Sequence, residues 1–373
     1  MSTFNGVNVS ELPIPKFFNS ANASSWEYYP NTEKLFRDAV EWRTLHSLKP
    51  SGGQKFDVQV LIIDKQKDFC NPRGSLYVAG RSGTGAIDDC DRASQWIYKN
   101  LGIIKEITTS LDTHYPIQIF FTSFWIGSDG KPLQSHTLIR LSADERRFEN
   151  FRFGANGIEV IDGDVKPNPA IASWVCNGNY PFLIEYCKHY CRQLAKGGKY
   201  TLYLWPFHCE FGSPGYDLQG VIYEAVMFHA FTRQAPSHRE AKGGHILSEN
   251  YSVLSQEVMA YQDGSPLTQI NAKFVSRLQK ANMLVVFGEA ASHCDKSTIE
   301  DVLIRVANND PKLAQKIYVV RDLMSSVVVR DPQGNIVADF TPDAEKALDS
   351  FASSGMHVVD STTPIAQWPG VQF

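Results

Sequence analysis

The sequence predicts an α/β fold of three layers, in which a mainly parallel six-stranded sheet carries helices on both faces. Short apolar runs rich in β-branched residues end in polar residues, and amphipathic stretches lie between them. Strands that are apolar along their whole length are typical of parallel sheets covered on both faces. The predicted strands are 58–64, 106–112, 201–205, 283–289, 316–322 and 356–360, and the clearest helices are 86–101, 219–233, 294–307 and 342–354.

The second strand has two candidates, because the segment 117–125 is more apolar than 106–112. We favour 106–112, since the helix that ends near Leu101 then needs only a short connection. This choice also leaves Asp112 and His114 at the carboxyl end of the strand, where ligands bind in such sheets.

Three segments lie outside the alternating pattern. Residues 1–55 are expected to form an N-terminal extension packed on a domain of residues 56–373. Within that domain, about 126–198 form an insertion with a helix near 181–195, and 234–272 form a long excursion that contains Gly243 and Gly244. Long ordered insertions in α/β enzymes often cover the active site.

Composition excludes several classes of protein. The chain has 373 residues, with 36 basic and 40 acidic side chains and a net charge of −4, which argues against a nucleic-acid partner. It has no apolar run long enough to cross a membrane and no signal-peptide pattern at its N-terminus. An odd number of cysteines, seven, in a chain of this length argues against a disulfide framework and favours a cytoplasmic protein with reduced thiols.

Cys294 is the first candidate nucleophile, because it follows an apolar strand and a turn and begins a helix. Unpaired N–H groups at a helix start favour a thiolate. Asp64, at the end of the first strand, could take the thiol proton, and Lys242 could stabilise the thiolate. Cys209 and, more distantly, Cys70 are competing nucleophiles, and each residue alone is more often structural.

A carboxylate and two imidazoles could form a metal site. Asp112 and His114 follow the second strand, and His208 follows the strand near 201–205. Three protein ligands with open positions describe a catalytic or substrate-binding metal site. Glu249 is a candidate fourth ligand, directly or through water.

Taken together in chain order, these segments resemble the isochorismatase-like cysteine hydrolases, and among them the nicotinamidases. The resemblance covers roughly 56–125 and 199–365, and the longer chain resembles a subgroup with a large insertion. The matching segments are LIIDKQKDF with Asp64, EITTSLDTH with the metal pair, LWPFHC with His208, Lys242 followed by Glu249, Tyr251 and Ser252, and VVFGEAASHC with Cys294.

The resemblance implies a Rossmann-like, isochorismatase-like fold and a cysteine amidohydrolase. Asp64, Lys242 and Cys294 would form the catalytic triad, and the first substrate to consider is nicotinamide, converted to nicotinate and ammonia through a thioester. The backbone N–H groups of Ala290 and Cys294 would form the oxyanion hole. A cis peptide would fall between Glu289 and Ala290.

The resemblance also implies a divalent metal that binds the substrate ring. Zinc is the first choice, and manganese or iron also suits a mixed nitrogen and oxygen set. Phe69 and Trp125 are expected as pocket walls, and a homo-oligomer is expected because family members commonly oligomerise. The alternatives are hydrolysis of another small amide or ureido compound by the same triad, vinyl-ether hydrolysis without a metal, which Cys294 and the metal pair disfavour, and a non-catalytic binding protein on the same fold.

Overall fold

The computed structural model describes residues 3–4, 7–8, 10–154, 157–197, 200–307, 311–331 and 333–371. The strands are β1 Thr3–Phe4, β2 Val7–Asn8, β3 Val58–Ile63, β4 Glu106–Asp112, β5 Trp125–Ile126, β6 Thr137–Leu141, β7 Phe148–Gly154, β8 Gly157–Pro167, β9 Leu202–Leu204, β10 Ser237–Lys242, β11 Met283–Gly288, β12 Ile317–Val320, β13 Val328–Arg330, β14 Ile336–Asp339 and β15 His357–Val359.

The α-helices are α1 Thr32–Leu45, α2 Lys67–Cys70, α3 Gly85–Lys99, α4 Ala172–Val175, α5 Tyr180–Gly197, α6 Gly220–Arg233, α7 Ala272–Lys280, α8 Lys296–Val302, α9 Pro311–Ala314 and α10 Thr341–Ser353. A π-helical turn, Ala291–Asp295, precedes α8, and a second, Leu303–Ala307, follows it. Short 3-10 turns occupy Ser20–Ser24, Ser51–Gly53, Thr122–Phe124, Pro169–Ile171, Pro214–Tyr216, Arg321–Leu323 and Ile365–Gln367.

The central sheet has six parallel strands in the order β10-β4-β3-β11-β12-β15. Every residue of β3 and β11 is buried, as expected for strands covered on both faces. Successive side chains of a strand point to opposite faces. Val60 and Ile62 accordingly join the core under α3 and α6, whereas Leu61 and Ile63 join the core under α7, α8 and α10. The predicted three-layer α/β fold is confirmed.

Two strand predictions need correction. Residues 201–205 were expected in the parallel sheet, but β9 pairs antiparallel with β6 in a separate sheet. The sixth place is taken by β10, in the segment predicted to be an excursion. Strand β10 reads SHREAK and pairs with a neighbour on one side only, so most of it is half-buried and it lacks the apolar signature of a central strand.

The second parallel strand is β4, which confirms the choice of 106–112. The alternative segment 117–125 contains the turn Thr122–Phe124 and only the first residue of β5.

The expected insertion contains a sheet that the sequence pattern did not predict. Strands β5, β8, β7, β6 and β9 form an antiparallel sheet, and α5 packs on it around a second apolar core. Within β7, residues 150–153 (NFRF) alternate polar and apolar side chains. Strand β9 leads directly into Trp205 and then His208, so this sheet positions a candidate ligand.

The N-terminal residues pack beside α3 and α6. Helix α1 lies against α6, the Leu12 N–H donates to the Lys99 carbonyl at 2.8 Å, and Gln219 donates to the Ala23 carbonyl at 2.7 Å. Among the described residues, no helix combines the length and the apolar character needed to span a membrane.

Candidate active site

Four neighbouring strands deliver the candidate residues to one edge of the sheet. Asp112 and Lys242 are the last residues of β4 and β10 and lie opposite each other in the parallel register. Asp64 follows β3, and Cys294 lies on the π-helical turn after β11. Because parallel strands end at the same edge, residues far apart in sequence converge there.

The ammonium group of Lys242 lies at the centre of this group. Its Nζ is 2.8 Å from Asp64 Oδ2, 3.0 Å from Asp112 Oδ1 and 3.6 Å from Cys294 Sγ. It also donates to the Asn250 carbonyl at 3.0 Å. The Lys242 side chain is buried. Burial lowers its pKa, but Asp112 and Asp64 outweigh burial and raise the pKa well above the usual value. The amine is therefore a charged ammonium between two carboxylates and a sulfur.

Asp64 and Cys294 lie close together, since ligand-type atoms of Asp64, Asp112 and Cys294 all lie within 4.8 Å of one another. Both side chains are buried, and the Ser110 hydroxyl donates to Asp64 Oδ1 at 2.6 Å. Burial raises the pKa of Asp64 despite the opposing Lys242 charge. Burial also raises the pKa of the Cys294 thiol, again against Lys242. The Cys294 sulfur therefore has an adjacent carboxylate in a position to accept its proton.

Asp112, His114 and His208 form a second cluster that shares Asp112 with the first. Ligand-type atoms of the three residues all lie within 4.8 Å of one another, and all three residues are buried. The Nε2 atoms of His114 and His208 are 2.9 and 3.7 Å from Asp112 Oδ2. Burial raises the pKa of Asp112, but His114 and Lys242 outweigh it and hold the pKa well below its usual range.

The outer hydrogen bonds of both imidazoles fit metal binding. His114 Nδ1 is 3.3 Å from the Gly243 carbonyl, and His208 Nδ1 is 2.7 Å from the Pro206 carbonyl. A ring whose Nδ1–H donates to a carbonyl presents the lone pair of Nε2, as metal-bound histidines commonly do. Both Nε2 atoms face the same carboxylate, so the donor set suits a divalent cation of the zinc, manganese or iron type.

Glu249 lies near this cluster but is not part of it by distance. The three residues within 4.8 Å of one another do not include Glu249, although Glu249 lines the same cavity as Asp112 and His208. Its carboxylate accepts the Asn250 N–H at 2.8 Å, and burial raises its pKa well above the usual value. A ligand role for Glu249, directly or through water, remains a prediction.

Asp112, His114 and His208 are called the metal-type cluster below. Glutamine side chains, which the sequence analysis did not single out, support this cluster. Gln66 accepts from the Asp112 N–H at 2.7 Å and donates to the Asp112 carbonyl at 2.8 Å, so it continues the strand pairing beyond the end of β3. Gln118 donates to the Gly243 carbonyl at 2.5 Å, the same carbonyl that faces His114. Glutamines are common polar residues, and only the three-dimensional contacts reveal this role.

The loop that carries His208 is held from two sides. Asp68 accepts the Cys209 N–H at 2.7 Å, and the His114 N–H donates to the Cys209 carbonyl at 3.0 Å. Cys209, the competing nucleophile, is fully buried, and burial raises the pKa of its thiol. Cys294 is the sulfur in contact with the ammonium group, since Lys242 Nζ lies 3.6 Å from Cys294 Sγ.

The turn before Cys294 rests on a buried ion pair. Lys65 Nζ is 2.7 Å from Glu289 Oε1, and both side chains are fully buried. The other Glu289 oxygen accepts the Ser325 N–H at 3.2 Å. The peptide bond between Glu289 and Ala290 is cis, as the resemblance implied. Ala290 and Cys294, the predicted oxyanion-hole residues, both line a small cavity beside the candidate nucleophile.

A cavity of about 30 Å³ lies against Cys294. Phe69 lines it, as predicted, with its ring centroid 5.4 Å from that of His208. Trp125, the other predicted wall, instead packs against Phe148 in the core of the antiparallel sheet, because β5 places it there. The wall residues that sequence reasoning missed are Leu76, Val78, Trp205, Tyr251, His293 and Val327.

Comparison with known proteins finds likeness only among solved structures. No family model and no curated protein matches the sequence. The Acinetobacter baumanii nicotinamidase/pyrazinamidase superposes with a TM-score of 0.45 at 17% identity, covering 83% of this chain and 98% of that one. The yeast nicotinamidase bound to the inhibitor nicotinaldehyde gives 0.45 at 16%, covering 81% and 99%.

The pyrazinamidase of Pyrococcus horikoshii in complex with zinc gives a TM-score of 0.39 at 16% identity, covering 82% of this chain and 99% of that one. Identity is low in every case, so the support for an activity comes from the geometry of this chain's own residues.

Proposed function

We propose that the protein is a cysteine amidohydrolase that acts on a small carboxamide through a thioester. One observation carries the proposal: Lys242 Nζ lies within 3.6 Å of Asp64, Asp112 and Cys294 together. A buried ammonium beside a thiol and a carboxylate stabilises the thiolate that forms when the thiol loses its proton. The same three residue types stand in the matching motifs of the nicotinamidases that the sequence resembles.

The reaction begins with transfer of the Cys294 proton to Asp64. The sulfur then forms a bond to the amide carbon, and the carbonyl electrons move to oxygen. Backbone N–H groups of Ala290 and Cys294 are proposed to hold this oxyanion. Asp64 returns the proton to the nitrogen, the carbon–nitrogen bond breaks, and ammonia leaves a thioester on Cys294.

Hydrolysis of the thioester uses the same carboxylate. Asp64 removes a proton from water, and the hydroxide oxygen adds to the thioester carbon. The carbon–sulfur bond then breaks, the sulfur recovers the proton from Asp64, and the carboxylic acid departs. Lys242 stays positively charged throughout and stabilises the anionic sulfur and carboxylates in turn.

Asp112, His114 and His208 are proposed to hold a divalent metal, with zinc as the first choice and manganese or iron as alternatives. Such an ion supplies a Lewis-acid position that binds a donor atom of the substrate. The protein's own contribution is to keep both Nε2 atoms and Asp112 Oδ2 aimed at one point beside the thiol, which orients the bound amide toward Cys294. Glu249 is proposed to complete the set, directly or through water.

The first substrate to test is nicotinamide, which would give nicotinate and ammonia. Its ring nitrogen suits a metal position and its carboxamide suits the triad, as the resemblance implies. The alternative is another small amide or ureido compound, hydrolysed by the same triad.

The test is ammonia release from a panel of small carboxamides by the wild-type protein, Cys294→Ala and Cys209→Ser. We expect Cys294→Ala to abolish turnover and Cys209→Ser to retain it. Turnover by Cys294→Ala would exclude the proposed nucleophile. A wild-type Cys294 that reacts with iodoacetamide no faster than an ordinary thiol would favour the non-catalytic binding protein.

A further inference from the structure

A second cavity of about 490 Å³ lies directly beside the catalytic cavity. It lies between the antiparallel sheet on one side and α8, α10 and the residues around Phe340 on the other. Its inner surface is rich in rings, including Tyr200, Tyr203 and Phe340. We call it the aromatic cavity.

The two cavities share a wall one side chain thick. Trp205, Tyr251 and His293 line both. Trp205 Nε1 donates to the Tyr251 hydroxyl at 3.0 Å, and the His293 ring centroid lies 5.4 and 5.6 Å from those of Trp205 and Tyr251. His293 immediately precedes Cys294, so the aromatic cavity begins one residue from the proposed nucleophile.

The catalytic cavity is much smaller than the aromatic cavity. Its volume of about 30 Å³ is close to the share of a single water in the liquid. Sites for drug-sized small molecules usually enclose roughly 300 to 1,000 Å³. The aromatic cavity falls in that range. The reacting carboxamide fits beside Cys294, and the body of a larger substrate needs the neighbouring space.

The residues that line the aromatic cavity favour a flat, uncharged group on the ligand. Stacked and edge-on rings are already formed at this wall, where His293 stacks on Tyr200 at 5.5 Å and meets Phe340 edge-on at 5.1 Å. Aromatic surfaces of this kind favour another ring by stacking. The charged residues among the lining balance in sign, Lys296 and Lys346 against Glu300 and Asp343, so they favour no net charge on the ligand.

We propose that the aromatic cavity binds an aryl group on the acyl part of the substrate, which makes the substrate a neutral primary carboxamide with at least two linked rings. This rests on the proposed amidohydrolase function and specifies its substrate class. The carboxamide group lies beside Cys294, and the ring system extends past the His293 side chain into the aromatic cavity. The overall reaction is unchanged: the amide and water give the carboxylic acid and ammonia.

Two tryptophan substitutions on α10 provide a matched pair of variants. Ser350 lines the aromatic cavity, whereas Ala352 is exposed on the same helix and is not among the lining residues. Ser350→Trp should fill the cavity, and Ala352→Trp should leave it open. Neither residue belongs to the catalytic or metal-type clusters.

The experiment compares biphenyl-4-carboxamide with benzamide and nicotinamide. For the wild type and for Ala352→Trp, we expect kcat/KM to be at least tenfold higher for the biphenyl amide than for benzamide. For Ser350→Trp, we expect this preference to disappear while benzamide is still hydrolysed. The proposal would be overturned if kcat/KM for the single-ring amides equals or exceeds that for the biphenyl amide. It would also be overturned if the two tryptophan substitutions have equal effects.

Binding to catalytically inactive protein separates this proposal from the proposed function. Calorimetry with the Cys294→Ala variant should show saturable binding of biphenyl-4-carboxamide. A second substitution, Ser350→Trp, should weaken this binding at least tenfold, whereas Ala352→Trp as the second substitution should leave it unchanged. If this binding is observed but the wild-type protein hydrolyses no amide, the proposed hydrolase function is rejected and the aryl-binding site is retained. Absence of Ser350-dependent binding would reject the aryl site even if small amides are hydrolysed.

Discussion

Asp112 and Lys242 form a buried ion pair 3.0 Å long that joins the two halves of the candidate site. Asp112 Oδ1 faces Lys242 and, through it, Asp64 and Cys294, while Asp112 Oδ2 faces the two imidazoles. The register of β10 on β4 places the two residues opposite each other. One carboxylate therefore serves both the nucleophile's ammonium and the proposed cation.

We expect Asp112→Asn to remove both functions at once. The amide keeps the shape of the side chain but loses the charge that balances Lys242 and the anionic oxygen that faces both imidazoles. Bound divalent metal, measured by mass spectrometry of the purified protein, should be lost, and amide turnover should fall about 100-fold or more, since even outer partners of metal ligands contribute 10- to 100-fold. Asp144→Asn, at an exposed position, is the control, and full metal content in Asp112→Asn would contradict the assignment.

Gly243→Ala should damage the metal-type cluster through its methyl group. Gly243 has φ +85°, and an added Cβ would lie 2.7 Å from Asp112 Oδ1 and 2.8 Å from His114 Cε1. We expect metal affinity to fall about 10- to 100-fold, the range seen when the support of a ligand is disturbed.

The matched control for that change is Gly264→Ala. Gly264 has a similar φ of +82° but no atom within 4 Å of the added Cβ. Both variants should lose stability through the left-handed backbone, by about 1 kcal/mol or somewhat more, as measured by urea unfolding. Equal metal affinity in the two alanine variants would show that the crowding at Asp112 has no effect.

Lys65→Met should destabilise the fold by about 3–5 kcal/mol, because it leaves Glu289 charged and unpaired in the interior. The comparison is Arg73→Met, which breaks the Arg73–Glu27 pair at 2.8 Å, where the side chains are 64% and 79% exposed. An exposed pair of that kind contributes about 0–1 kcal/mol. Chemical unfolding measures both, and a small effect of Lys65→Met would mean that Glu289 takes up a proton or finds another partner.

Lys242→Gln should slow the reaction of Cys294 with iodoacetamide. The thiolate is the reactive form, and loss of the adjacent ammonium removes the charge that opposes the rise of the thiol pKa by burial. We expect at least a tenfold lower alkylation rate near neutral pH, followed by peptide mass spectrometry at Cys294. Lys131→Gln, on the exposed loop, should leave the rate unchanged, and an unaltered rate in Lys242→Gln would separate Lys242 from the sulfur.

The sequence predicted the parts of the site that follow apolar strands. Asp64, Asp112 and Cys294 each come at or just after a run whose burial on both faces requires a sheet interior. Such runs end at one edge, so the convergence of these side chains follows from the fold class.

Other parts depend on contacts between distant segments. Strand β10 is polar because it is an edge strand, so Lys242 was identified by motif while its strand was missed. The run 201–205 was recognised as a strand, but an apolar pattern does not tell which sheet a strand joins. The roles of Gln66, Gln118 and Lys65 come from hydrogen bonds and ion pairs across the chain, which leave no periodic signal.

Only a short segment separates β9 from His208. The shape of the aromatic cavity and the position of this proposed metal ligand therefore depend on each other. The sheet that encloses the aromatic cavity ends only four residues before one of the proposed ligands. A sequence change that reshapes this sheet to admit a different molecule would also shift the loop that presents an imidazole to the cation. Adaptation to new substrates and retention of the ion are therefore mechanically coupled in this chain.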